Sequence, residues 1–112
     1  MKLITIIVKP HMAEDVRQAC VRFGVTGVTV TEVDGYDHRH GHSEYYRGAE
    51  YSVEYLPKVK MEIAVHDDIY NNVIEAVVGA ARTGKVGDGR VFVTSLDDAT
   101  RIRTGEIGPA AI

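Results

Sequence analysis

The sequence of 112 residues contains a single cysteine, Cys20, so no disulfide can form within the chain and a reducing compartment is expected. No apolar run approaches the roughly 20 residues that span a bilayer, and the apolar stretch near the N-terminus is too short for a secretory signal. Basic residues are not in excess, since the formal net charge is −3. We therefore expect a cytoplasmic protein without direct membrane insertion and without a nucleic acid partner.

What the sequence does contain is an alternation of strand and helix patterns. Four strands are predicted, at residues 3–8, 25–33, 59–66 and 91–93. Apolar residues at helical spacing predict one helix that ends before Gly24, with Cys20 buried in its stripe, and a second helix at about residues 69–81. A short extended segment is predicted at residues 101–103.

The order β-α-β-(long loop)-β-α-β predicts a single α+β domain over residues 1–112, of the ferredoxin-like βαββαβ type. Its four-stranded antiparallel sheet would carry both helices on one face. Because the first strand, at residues 3–8, is apolar on both sides, the other face needs a cover as well. A second copy of the chain would provide it, so a homo-oligomer is expected.

The glycine-rich segment at residues 82–90 (RTGKVGDGR) is the first candidate site. Its three glycines allow backbone N–H groups to approach an anion closely. Lys85, Arg90, Arg101 and Arg103 would add cationic donors that suit phosphate. The alternative is an ordinary surface connection between a helix and a strand.

The second candidate site is the segment at residues 37–55, which is rich in tyrosine and histidine and has no clear period. A loop of this length is usually functional, although a long hairpin tip is the alternative. If extended, it would place His38, His40 and His42 on one face, where imidazoles could bind a metal ion. The alternative is that these histidines are solvated or contact a partner.

Catalytic motifs are missing. There is no nucleophile elbow, no HExxH and no CxxC, and the pairs Asp67-Asp68 and Asp97-Asp98 fall where helix caps are expected. The sequence therefore favours a binding or regulatory protein over an enzyme. A small enzyme of ferredoxin-like fold is a remote alternative.

Several motifs together resemble those of the PII signal-transduction proteins. The most specific are YRGAEY at residues 46–51, RTGKVGDGR at 82–90 and RIRTGE at 101–106. The opening MKLITIIVKP and the segment GVTVTEV at residues 27–33 support the resemblance, which extends from Met1 to about Glu106. It implies a cytoplasmic homotrimer that senses ATP and ADP in clefts between subunits and regulates nitrogen metabolism, transcription, enzymes or transport.

The resemblance also implies the nucleotide site. Residues 82–90 match the family's B-loop, and residues 101–112 match the C-terminal loop that reaches the nucleotide from the adjacent subunit. Arg90 stands where the family commonly has lysine, which keeps the charge but changes the donor geometry. The implied nucleotide-binding residues are Gly27, Thr29, Gly35, Glu62, Ala64, Gly87, Asp88, Gly89, Arg90, Arg101 and Arg103.

Residues 37–55 match the family's T-loop, which changes conformation with ligand and docks on targets. An arginine at the position of Arg47 enters the pore of ammonium channels in the family. Tyr51 matches the tyrosine that a nucleotidylyltransferase modifies in many relatives. The implied partners are a target protein, such as an ammonium channel, another transporter or a regulatory enzyme, and a transferase acting on Tyr51.

The sequence departs from the family at the start of the T-loop, where Asp37-His38-Arg39 replaces Gly-Arg-Gln. The family's glutamine binds the magnesium ion that joins ATP to 2-oxoglutarate, and Arg39 cannot replace it because a guanidinium has only donors. Lys58, the family's partner for a 2-oxoglutarate carboxylate, is present. We therefore expect nucleotide binding to be retained and magnesium-dependent 2-oxoglutarate binding to be weakened or lost. A divergent PII-like regulator with metal- or transporter-linked input through its histidines is the alternative.

Overall fold

The computed structural model describes residues 1–36 and 55–112. The strands and helices within these ranges are β1 (Lys2–Val8), α1 (Ala13–Val21), β2 (Thr29–Gly35), β3 (Leu56–Val65), α2 (Tyr70–Ala81) and β4 (Gly89–Ser95). Short 3-10 helices at Pro10–Met12 and Gly108–Ala111 complete the regular structure. The predicted βαββαβ order is confirmed.

The four strands form one antiparallel sheet in the order β2-β3-β1-β4. Strand β1 lies in the interior of the sheet, with Thr5 opposite Glu62 of β3 and Phe92 of β4. Strand β2 pairs with the other side of β3, so β2 and β4 are the two edges. The end of β2 and the starts of β3 and β4 therefore lie at the same end of the sheet.

One face of the sheet packs against both helices to form the core. Ile4 and Ile6 of β1 are fully buried there with Val16 of α1 and Val73 of α2. Cys20 belongs to the same cluster and is fully buried, which confirms the prediction of a core thiol, and its burial raises the pKa of the thiol. A raised pKa disfavours the reactive thiolate.

The opposite sheet face is less well covered. Leu3, Thr5 and Ile7 of β1 alternate with the core residues and are only partly buried, and Phe92 of β4 is 50% exposed. Strand β1 therefore places apolar side chains on both faces of the sheet, as the sequence predicted. The covering by a second copy stays a prediction.

The predicted helix caps at paired aspartates are wrong. Helix α2 begins after Ile69 without a side-chain cap, because Asp67 instead accepts a hydrogen bond from the α-amino group of Met1 at 2.8 Å. Asp98 lies in no helix. Its Oδ1 accepts hydrogen bonds from the backbone N–H of Ala99 and of Gly108, which attaches the C-terminal loop to the end of β4.

The extended segment predicted at residues 101–103 is also wrong. The chain makes a turn there, closed by an antiparallel bridge between Thr100 and Ile107. Gly105 has a φ of 76°, which a turn of this kind requires and a strand would not contain. The two arginines of the motif therefore project from a turn.

Candidate functional site

A cleft of about 370 Å³ lies at the end of the sheet where β1 ends and β4 begins. The glycine-rich segment forms one wall, and the facing ends of β2 and β3 form the other. Tyr36 and Lys85 contribute to the walls. Seven residues predicted from the sequence line it together: Gly35, Lys58, Lys85, Gly87, Asp88, Gly89 and Arg90.

The carboxylate of Asp88 organises the glycine-rich segment from inside. It accepts hydrogen bonds from the backbone N–H of Thr83 at 2.7 Å and of Gly84 at 2.9 Å, and a third from the Thr83 hydroxyl. The Lys9 ammonium lies 3.8 Å away. The hydrogen bond from the Thr83 hydroxyl, followed by that from the Thr83 backbone, lowers the pKa of Asp88 to about 2. Asp88 is therefore ionised at neutral pH, and its carboxylate is occupied by hydrogen bonds from its own loop.

This arrangement predicts a specific pH dependence. Because the pKa of Asp88 is lowered from 3.8 to about 2, its ionised form stabilises the fold above about pH 4. That contribution is lost as the pH falls towards 2. We expect the variant Asp88→Asn to melt at a lower temperature than the unmodified protein at pH 7, and the difference to shrink between pH 4 and 2. Thermal unfolding followed by circular dichroism measures this.

The control is Asp15→Asn, since Asp15 is an exposed carboxylate of α1 without a hydrogen bond or ion pair in the described part of the chain. Glu14 also titrates near pH 2, because Arg17 lowers its pKa to about 2. The comparison between variants therefore carries the result, rather than the midpoint of one protein. A pH-independent difference for Asp88→Asn would contradict the role given to this carboxylate.

Lys58 connects β3 to the glycine-rich segment. Its Nζ donates a hydrogen bond to the backbone carbonyl of Gly87 at 3.1 Å. Its aliphatic chain passes over Gly35, where an added Cβ would lie 3.1 Å from Lys58 Cγ. Gly35 thus provides the space that lets the lysine cross the cleft.

The cationic side chains of the cleft differ in their hydrogen bonding, since Lys58 donates to the carbonyl of Gly87. Within residues 1–36 and 55–112, the Lys85 ammonium and the Arg90 guanidinium have no hydrogen-bond or ion-pair partner, and both residues are exposed. The acidic Asp88, in contrast, is already satisfied by the loop. The cleft therefore presents net positive charge to solvent beside glycine backbone, which suits an anion such as phosphate.

The other predicted nucleotide-binding residues lie elsewhere. Thr29 pairs with Glu62, whose Oε2 accepts a hydrogen bond from the Thr5 hydroxyl at 3.2 Å, on the open face. Thr29 is six residues from Gly35 along β2, which corresponds to roughly 20 Å. Ala64 lies near the same end of the sheet as Thr29, and Gly27 precedes β2. One chain therefore does not bring these residues into the cleft.

Arg101 and Arg103 belong to the turn that follows β4. The Arg101 guanidinium donates a hydrogen bond to Glu106 Oε1 at 3.0 Å, whereas the exposed Arg103 has no side-chain partner in the described ranges. Strand β4 ends next to the N-terminus, where the N–H of Leu96 donates to the carbonyl of Met1. These arginines thus follow the end of the sheet that lies opposite the cleft.

Tyr36 and Thr83 contribute to the site without having been predicted from the sequence. Tyr36 lines the cleft, although the sequence shows it only as the first of several clustered tyrosines. Thr83 anchors Asp88, and the sequence signal for this was a hydroxyl residue five positions before an aspartate across a glycine-rich turn. The second of these signals is too common to have been used alone.

Several predicted residues lie outside the described residues. They are Asp37, His38, Arg39, His40, His42, Arg47 and Tyr51. Within the described ranges, no group of three histidine, cysteine or acidic side chains could hold a metal ion. The same part of the chain contains no helix long and apolar enough to cross a membrane.

Fold and cleft together define a small α+β domain of the ferredoxin-like type that carries a cationic, glycine-rich binding cleft. The sequence matches the family model of the nitrogen regulatory protein P-II over residues 1–106. The chain belongs to this family of signal-transduction proteins, as the motifs predicted.

Several named proteins are similar in sequence to the chain over its full length. The chain is 54% identical over 112 residues to the nitrogen regulatory protein GlnK of Escherichia coli K12, covering 100% of both proteins. It is 52% identical to the nitrogen regulatory protein P-II 1 of the same strain and 48% identical to the nitrogen regulatory protein P-II of Rhizobium etli, each with full coverage. All three are named as regulatory proteins, which agrees with the expectation of a regulator.

Proposed function

We propose that this protein senses ATP and ADP in its cleft and passes the state of the site to target proteins through residues 37–55. The targets would belong to nitrogen metabolism or transport, in keeping with the names of its relatives. Ammonium channels, other transporters and regulatory enzymes are the classes of partner that we expect. The role requires no catalytic step, and the protein would work in the cytoplasm.

The proposal rests on an observation within one loop: two cationic side chains have no partner among the described residues, whereas the acidic side chain is already hydrogen-bonded. Arg90 and Lys85 line the cleft without side-chain partners in the described residues, while Asp88 is occupied by Thr83 and Gly84. A phosphate in the cleft would meet two positive charges. The repulsion from the nearby carboxylate would be reduced, because the Lys9 ammonium and the N–H groups of Thr83 and Gly84 face it.

A shared site in a homotrimer accounts for the residues that lie away from the cleft. Glu62, Thr29 and Ala64 occupy the open face of the sheet, whose partly apolar surface favours contact with another copy. We infer that these residues, with Gly27 and the arginines of the C-terminal loop, approach the cleft of a neighbouring subunit. The cleft would then bind the phosphates, and the neighbour would contact the base.

The cleft offers little to a magnesium ion. The Asp88 carboxylate already accepts three hydrogen bonds, and the Lys58 ammonium is a donor that contacts the carbonyl of Gly87. Magnesium prefers oxygen ligands, and Arg39 in the adjoining sequence has none to give. We infer that any magnesium ion would be held by the nucleotide itself and that 2-oxoglutarate binds weakly or not at all.

Calorimetric titration of the purified protein tests this function. We expect ATP and ADP each to bind, with little gain in ATP affinity from 2-oxoglutarate and magnesium together. Loss of one charged hydrogen bond in Arg90→Ala should weaken ATP binding by about 10- to 100-fold. Arg82→Ala is the matched control, because Arg82 is an exposed arginine of the same segment that does not line this cleft.

Three outcomes would contradict parts of the proposal. Absence of ATP and ADP binding at millimolar ligand would refute nucleotide sensing. Equal losses in Arg90→Ala and Arg82→Ala would place the phosphates outside the cleft. Tight 2-oxoglutarate binding that depends on ATP and magnesium would refute the weakened response to 2-oxoglutarate.

A further inference from the structure

Two tyrosines stand at the junction between the sheet and residues 37–54. Tyr36 follows the last residue of β2, and Tyr55 precedes the first residue of β3. Gly35 pairs with Leu56, so the two tyrosines occupy the next opposing positions of the same antiparallel register. Their ring centroids are 5.8 Å apart with an interplanar angle of 51°, a geometry that is favourable for aromatic pairs.

The tyrosine pair lies at the surface. Tyr36 is 52% exposed and Tyr55 is 64% exposed, and neither belongs to the buried cluster that forms the core. The main role of the contact is therefore not to fill the core. It links the ends of the two strands that flank residues 37–54.

Only one member of the pair reaches the cleft. Tyr36 lines it beside Gly35, Leu56 and Lys58, whereas Tyr55 is not among its lining residues. A ligand in the cleft would touch Tyr36 directly and would reach Tyr55 through Tyr36. If the ligand binds better to one arrangement of the pair, occupancy of the cleft must shift the population of that arrangement.

We propose that Tyr36 and Tyr55 form a coupling pair, in which Tyr36 contacts the bound nucleotide and Tyr55 is a positioning residue that carries its state to residues 37–54. This inference rests on the proposed nucleotide site. It assigns a role to two of the five tyrosines that cluster between residues 36 and 55. Aromatic rings, rather than hydroxyl groups, carry the coupling, because the observed contact is between rings.

A double-mutant cycle measures the coupling. We expect Tyr36→Leu and Tyr55→Leu each to change ATP affinity by roughly 2- to 10-fold, the range that follows from the worth of an aromatic pair. The double variant should be little worse than Tyr36→Leu. Tyr36→Phe and Tyr55→Phe keep both rings and should bind ATP as the unmodified protein does. Fully additive losses, or losses of equal size in the phenylalanine variants, would overturn the ring-based coupling.

A fluorescent probe in residues 37–54 tests the coupling directly, because a purely structural role of Tyr55 would not change the difference in fluorescence between the ATP-bound and ADP-bound protein. A fluorophore is attached to the variant Ala49→Cys, and Cys20 is expected to stay unlabelled because it is fully buried. We expect saturating ATP and saturating ADP to give different fluorescence, and Tyr55→Leu to reduce that difference by about half or more. Tyr70→Leu is the control, since Tyr70 lies in α2 at the other end of the sheet.

The outcomes separate this inference from the function on which it rests. If the unmodified protein binds neither nucleotide, the proposed function fails. If both nucleotides bind and Tyr55→Leu leaves the difference in fluorescence unchanged, the coupling pair fails while nucleotide sensing stands. Equal reductions in Tyr55→Leu and Tyr70→Leu would also overturn the coupling pair, because the effect would then be general.

Discussion

Replacing Gly89 by alanine is expected to lower the free energy of unfolding by about 3 to 5 kcal/mol, a loss at the upper end of single substitutions. Gly89 begins β4 with a φ of 123°, a conformation that side-chain-bearing residues rarely adopt. A Cβ at this position would lie 2.0 Å from the backbone oxygen of Ile7. Because both the oxygen and the glycine belong to paired strands, neither can move without breaking the β1–β4 ladder.

Equilibrium unfolding in urea measures the loss, and Gly84→Ala is the matched control. Gly84 lies in the same segment with a φ of 85°, but an added Cβ would have no heavy atom within 4 Å. Its replacement should cost only the backbone strain, about 1 to 2 kcal/mol. Equal losses in the two variants would show that the collision with Ile7 does not occur. An unfolded Gly89→Ala protein beside a folded Gly84→Ala protein would support the argument.

The fold could largely be predicted from the sequence, because its core follows simple periodicity. Ile4, Ile6 and Val8 alternate in β1, and Val73 and Val77 recur at helical spacing in α2, so each pattern identifies its element. The strand predicted at residues 25–33 differs from the observed one, because β2 begins at Thr29 and ends at Gly35. Val25 is buried without belonging to a strand. A β-branched run predicts burial more reliably than it predicts strand pairing.

Contacts between distant segments could not be predicted in this way. The pairs Asp67-Asp68 and Asp97-Asp98 look like local caps, yet Asp67 bonds to Met1 and Asp98 bonds to Gly108. A carboxylate accepts whichever donor the tertiary structure brings closest, and local sequence does not specify that donor. The same reason applies to Lys58, whose bond to the carbonyl of Gly87 spans 29 positions.

The candidate site was predicted unevenly. Residues of the glycine-rich segment follow from a local signal of glycine spacing and cations, whereas Gly35 and Lys58 follow only from the resemblance to the family. Tyr36 was missed because lining the cleft depends on where β2 ends relative to the segment before β4. The roles given to Arg47, Tyr51 and the histidines of residues 37–55 stay predictions.

Mixing two binding-deficient variants is expected to restore nucleotide binding. Arg90→Glu reverses a charge in the cleft, and Arg103→Glu reverses one in the loop after β4, at the other end of the sheet. If each site combines the cleft of one subunit with the C-terminal loop of its neighbour, either variant alone loses every site. If the subunits form the proposed trimer, reassembly from equal amounts of both variants should regain about one site in four, each built from the two unaltered halves.

A second mixture, of two variants that both alter the cleft, tests whether recovery of binding requires a site shared between subunits. Lys85→Glu and Arg90→Glu both alter the cleft, so subunits carrying one or the other cannot form an intact site, and their mixture should stay inactive. Calorimetry would measure the number of ATP sites per trimer in both mixtures after the same denaturation and refolding. A site within one chain predicts no recovery in either mixture, because every chain carries a defect. Recovery in the first mixture alone requires that two subunits supply different parts of one site, which accounts for the roughly 20 Å that separates Thr29 from Gly35 in a single chain.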